Sequence, residues 1–148
     1  MKIATYKMYW PLLAILAFSP GCFLFSDFRK EQFVAGASQQ PIDLRIPKGY
    51  KRKEIKTDSS GNTMLTYFYD EGQQLFFSSG NRLAAYIDTI QHFPRPHIQG
   101  GIFYKGVLPK LSLWREVYSQ GMRYGYRYVA LDAEPKFDSS LNYVRIGR

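Results

Sequence analysis

Two histidines, His92 and His97, lie five residues apart in a proline-rich loop, with Asp88 four residues before the first. Two imidazole nitrogens and a carboxylate are donors that zinc accepts. A structural zinc site fills four positions, however, and this spacing supplies no turn to converge the ligands, so neither a metal nor another cofactor is implied. Acyl-transfer chemistry has less support. There is no Gly-x-Ser-x-Gly elbow, and the serine pairs Ser59-Ser60, Ser78-Ser79 and Ser139-Ser140 sit beside turns or a helix start, where hydroxyls serve backbone groups. Glycoside hydrolysis needs two carboxylates facing across a cleft. Asp70 with Glu71 falls instead in a hairpin tip, and Asp132 with Glu134 precedes a helix whose dipole they complement. No glycine-rich loop opens a helix to cradle a nucleotide. No catalytic residue is assigned, and the chain reads as a non-enzyme; a small hydrolase using His92 or His97 is the enzymatic alternative.

Binding chemistry is better represented. Trp114, Tyr118, Arg123, Tyr124, Tyr126, Arg127 and Tyr128 crowd into "LWREVYSQGMRYGYRYV". Tyrosine rings stack on sugar or base faces, and arginines pair with phosphates and carboxylates. On a strand, Met122, Tyr124, Tyr126 and Tyr128 share one face and Arg123, Gly125, Arg127 and Val129 the other. One strand therefore cannot grip a single ligand with both sets. The bland arrangement buries the tyrosines on the core and leaves the arginines wet; the functional one makes part of this surface a protein interface, where Tyr, Trp and Arg are enriched. Lys51, Arg52 and Lys53 form a second candidate, a basic segment suited to acidic glycans or lipopolysaccharide.

The lone cysteine belongs to a different part of the chain. Lys2 and Lys7, with no acidic residue, precede 11 apolar residues, Met8 to Phe18, and then Ser19, Pro20, Gly21 and Cys22. A basic start followed by a short apolar run has the ordering of a secretory signal peptide. The Ser-Pro-Gly break interrupts any longer spanning helix, which needs roughly 20 apolar residues, so an uncleaved membrane anchor is the second reading and an ordinary leader or buried segment the third. The segment resembles the signal peptide and lipobox of bacterial membrane lipoproteins, although Ser19 stands where that family usually has Leu. The resemblance implies cleavage after Gly21, acylation of Cys22 with palmitate among its chains, and attachment to the cell envelope. Phe23 rather than Asp after the acceptor implies the outer membrane, and the lack of an acidic run implies its periplasmic face.

Removing 21 of the 148 residues leaves 127, enough for one domain, and takes the formal charge from +8 to +6. In an exported domain that charge faces lipid head groups and acidic glycans rather than nucleic acid. A single cysteine, once acylated, leaves no disulfide to hold the fold.

Aromatic residues make up 17% of the chain, which favours strands. The sequence predicts a signal peptide over 1–21, a lipidated N-terminus and tether over 22–41, and one α+β domain over 42–148. The domain should have a mainly antiparallel sheet and a short C-terminal helix. Ile42, Leu44 and Ile46 alternate as a half-buried strand before the Pro47 to Gly49 turn. A basic edge strand follows over 50–57, since lysines on an edge discourage pairing with other chains. Met64 to Tyr69 and Leu75 to Phe77 flank a hairpin with Gly72 at positive φ. Residues 82–90 fit helix or strand equally, and 91–110 read as irregular apart from a short strand at Ile102 to Tyr104. Leu113 to Tyr118 and Met122 to Val129 form a hairpin about Gln120 and Gly121. Phe137, Leu141 and Val144 then mark one face of a helix. From Ile42 onward, the Trp-Arg-Glu hairpin running into a helix is similar to small uncharacterised envelope lipoproteins of Bacteroidota. That likeness implies an accessory or assembly subunit bound to another envelope protein, and brings no catalytic residues.

Overall fold

The structure is a computed structural model and describes residues 26–35, 40–79 and 92–147. The leader, Cys22 and the ambiguous stretch 82–90 lie outside the described residues. Ten strands and one helix follow in order: β1 (Phe28–Ala35), β2 (Gln40–Pro47), β3 (Arg52–Thr57), β4 (Thr63–Phe68), β5 (Gln74–Ser78), β6 (Arg95–Pro96), β7 (Ile102–Leu108), β8 (Ser112–Ser119), β9 (Met122–Val129), α1 (Glu134–Leu141) and β10 (Arg145–Ile146). The strands make two antiparallel sheets, β1-β2-β10 and β3-β4-β5-β9-β8-β7-β6. This is the α+β, mainly antiparallel architecture read from the sequence.

The pairing sorts side chains onto two faces of the seven-stranded sheet. Leu65, Phe77, Tyr124, Val117 and Phe103 lie directly opposite one another across successive strands, and residues so paired point the same way. This face is covered by Ile42, Leu44 and Ile46 of β2, Phe33 of β1 and the Phe137–Leu141–Val144 side of the helix, all in one buried cluster. Pro135 stands in the first turn of α1, where its missing N–H costs no helical bond. The basic β3 is an edge strand, as its lysines suggested.

Four expectations need correction. Residues 28–35 are no tether: β1 pairs with β2 along its whole length, from Phe28 opposite Pro47 to Ala35 opposite Gln40. The strand at Ile102 runs on to Leu108, so 91–110 is less irregular than its prolines suggested, and Arg95–Pro96 adds a two-residue outer strand. Arg123 and Arg127 are buried rather than wet. Finally, the alternation on β9 breaks at Tyr128. Arg115 faces Tyr126 while Leu113 faces Val129, so two β9 residues oppose the single Trp114. Tyr128 takes up this bulge at φ 56, turning itself outward and Val129 into the core.

Candidate functional site

The hairpin turn sets the geometry of the second face. Gln120 and Gly121 both have positive φ, 50 and 75, the two-residue turn whose twist matches the flanking strands. It places Glu116 of β8 opposite Gly125 of β9, with Arg123 and Arg127 on either side. Glu116 is fully buried. Its Oε2 accepts from Arg123 Nε at 2.9 Å and from the Tyr118 hydroxyl at 3.1 Å, and its Oε1 accepts from an Arg127 terminal nitrogen at 2.8 Å. The Arg127 guanidinium lies 4.7 Å from the centre of the Phe76 ring and that of Arg123 5.3 Å from Tyr118. Gly125 is required here: a Cβ would stand 2.1 Å from the Arg115 carbonyl oxygen. Burial, then the neighbouring carboxylate, pushes the Tyr118 hydroxyl up to about 12, so it stays protonated as a donor.

A second polar network lies on the core face, between the sheet and α1. Arg115 donates to Asp138 at 2.8 Å and lies 4.1 Å from the Phe103 ring centre. Tyr126 places its hydroxyl 3.0 Å from Asp138 and 3.2 Å from Glu134, and Lys105 is ion-paired with Glu134. An Arg115 terminal nitrogen is 3.3 Å from His97 Nδ1. Arginine can only donate, so Nδ1 accepts and the imidazole is neutral, with its proton on Nε2. Burial, and then Arg115, hold His97 below the usual histidine range.

These contacts separate the two histidines. His97 packs edge-on against Phe103 and Tyr124 on the core face, whereas His92 packs edge-on against Trp114 on the other face. They cannot share a metal ion or act together on one substrate. Among the described residues no group of three His, Cys, Asp or Glu side chains is placed to hold a metal.

Most of the aromatic and arginine ladder is interior. Trp114, Tyr124 and Tyr126 are buried in the sheet, Arg123 and Arg127 are buried on Glu116, Tyr118 is half-buried, and only Tyr128 is exposed. The basic segment is exposed, but each of its members has a carboxylate: Lys51 with Asp70 at 3.4 Å, Arg52 with Glu54 at 2.7 Å and Lys53 with Glu31 at 2.7 Å.

Two apolar surfaces lie elsewhere. Phe93, just before β6, is exposed by 89%, and the β6–β7 hairpin presents Ile98 and Ile102, exposed by 80 and 40%. Its turn is closed by backbone bonds from His97 to Gly101 and from Gly100 to His97, and buried His97 pins it to the core. At the opposite end of the sheet, the loops after β4, β7 and β9 enclose an open groove of about 1190 Å³. Val107, Leu111, Tyr128 and Leu131 stand exposed along it. Among the described residues five non-glycine residues have positive φ, and four of them, Glu71, Lys110, Leu111 and Tyr128, line this groove.

Sequence reasoning missed Glu116, although its signal was present: a two-residue turn at Gln120-Gly121 fixes the register that sets a glutamate between two arginines. Phe93 and Ile98 lay in a loop singled out for its prolines, not for its apolar residues. The groove carried no local signal, because it is assembled from three separate loops. No protein-family model, curated protein or solved structure matches the chain.

Proposed function

We propose that this protein is a lipid-anchored, non-enzymatic component of the cell envelope that binds another envelope protein as an accessory or assembly subunit. The observation that carries the reading is the β6–β7 hairpin. Exposed loop residues are usually small or polar, yet here Ile98 faces solvent on a turn fixed by a buried histidine, with Ile102 at the start of β7 and Phe93 just before β6 exposed as well. Apolar side chains held out by a rigid scaffold are what a protein interface uses, since little conformational freedom remains to be lost on binding. The anchor is supported by the leader sequence and Cys22. The buried Glu116 network and the half-buried Asp138 network serve as the scaffold: their charges are spent on each other, and the tyrosines within them stay protonated.

The test is crosslinking of the tagged full chain in cells, with identification of what co-purifies. One stoichiometric envelope protein, lost from the Phe93→Asp, Ile98→Asp variant while the variant stays folded, is the expected result. Retained lipopolysaccharide or acidic glycan with no protein, reduced by salt and by neutralising Lys51 and Arg52, would favour the basic edge instead. That alternative draws on the exposure of β3, but Glu31, Glu54 and Asp70 offset its charge.

A further inference from the structure

We propose that the apolar groove end of the domain seats directly on the lipid bilayer, its lip of Val107, Leu111, Tyr128 and Leu131 entering the interface. This rests on the reading of Cys22 as a lipid attachment point. Three observations carry it. First, β1 begins at Phe28, so the link between Cys22 and the fold is short: the four peptide steps from Cys22 to Ser26 span at most about 14 Å. A domain so tethered cannot stand far from the membrane.

Second, the chain enters at the groove end. The Asp27 carbonyl accepts from the Lys48 N–H at 2.8 Å, Phe28 pairs with Pro47, and the Tyr69 hydroxyl donates to the Pro47 carbonyl at 3.0 Å. Tyr69 leads into the Asp70–Gly72 turn, which forms one wall of the groove. Attachment at Cys22 therefore turns this end, and not the Phe93–Ile98 hairpin, toward the bilayer.

Third, the lip is apolar and held outward by its backbone. Lys110 and Leu111 sit consecutively at φ 63 and 57, and Leu111 and Leu131 are 82 and 71% exposed. Exposed charges of both signs lie at this end, Lys48, Lys51 and Lys110 against Asp27, Asp70, Glu71 and Asp132, and leave it no net positive charge. Seating is therefore apolar and does not require anionic lipid.

The experiment uses the full chain, matured in cells and reconstituted into phosphatidylcholine vesicles. Acylation consumes the only native thiol, so Leu111→Cys, Leu131→Cys and Ile98→Cys each take a solvent-sensitive fluorophore at one site. Mass spectrometry of the Cys22 peptide accompanies each sample. The proposal predicts blue-shifted emission at 111 and 131, quenched by spin-labelled acyl chains, with no change at 98 and no gain from anionic lipid. Water-like emission at 111 and 131 with Cys22 acylated overturns the seating and leaves the anchor intact. Shielding already present in detergent and insensitive to quenching lipid overturns it in favour of protein, either another segment of this chain or a second copy. An unmodified Cys22 removes the anchor, and the seating with it.

Discussion

Glu31 of β1 accepts a 2.6 Å hydrogen bond from the hydroxyl of Tyr67, fully buried in β4. The same carboxylate takes Lys53 Nζ at 2.7 Å and the Tyr50 hydroxyl at 3.2 Å. It joins the two sheets and makes residues 28–35 part of the fold. Burial alone would raise its pKa, but the bonds from Lys53 and Tyr67 outweigh it and hold the carboxyl below its usual value. A depressed carboxyl stabilises the fold above its unfolded value of 4.5 and loses that contribution as pH falls through the lower folded value. Glu31→Gln should cost about 1–3 kcal/mol in urea unfolding at neutral pH, and the difference from wild type should shrink in strong acid. Arg52→Gln, at an exposed pair, should cost no more than about 0.5 kcal/mol.

Removing Glu116 leaves two buried guanidinium groups without the carboxylate between them. Glu116→Leu should lose about 3–5 kcal/mol of stability, measured by denaturant unfolding, and Gly125→Ala should also destabilise because its methyl has no room beside the Arg115 carbonyl.

His97 gives the protein a second, milder acid sensitivity. Phe103 and Tyr124 pack on its ring, Arg115 disfavours its protonation and Asp138 favours it. Its folded pKa lies below 6.5, so the unfolded chain binds the proton first, and stability falls as pH drops from 6.5 toward the folded value. His97→Asn should flatten that part of the stability-versus-pH curve while leaving the steeper acid limb.

Lys110 occupies a left-handed conformation that glycine adopts freely. Lys110→Gly should raise the unfolding free energy by about 1 kcal/mol without altering partner capture.

The elements that the sequence showed clearly were those with local chemistry. The Gln120-Gly121 turn defines its hairpin, Gly72 sits at φ 78 beside Glu71, and the Phe137–Leu141–Val144 spacing marks the buried side of α1. β1 escaped notice because the positions in register with Ile46, Leu44 and Ile42 are Arg29, Glu31 and Phe33. With two charged residues among them, no apolar alternation appears. Arg123 and Arg127 looked wet for a related reason: single-strand periodicity does not register a carboxylate waiting on the neighbouring strand. The exposed apolar groups at Ile98 and Leu111 depend on which way two turns point, which is set by tertiary structure.

The folded domain begins at Phe28, six residues after Cys22, the proposed site of lipid attachment. The most direct test of that attachment is the mass of the N-terminal peptide of the protein purified from membranes. The expected mass is that of a chain starting at Cys22 and carrying acyl groups. A chain still starting at Met1, or one with an unmodified Cys22, would contradict the attachment.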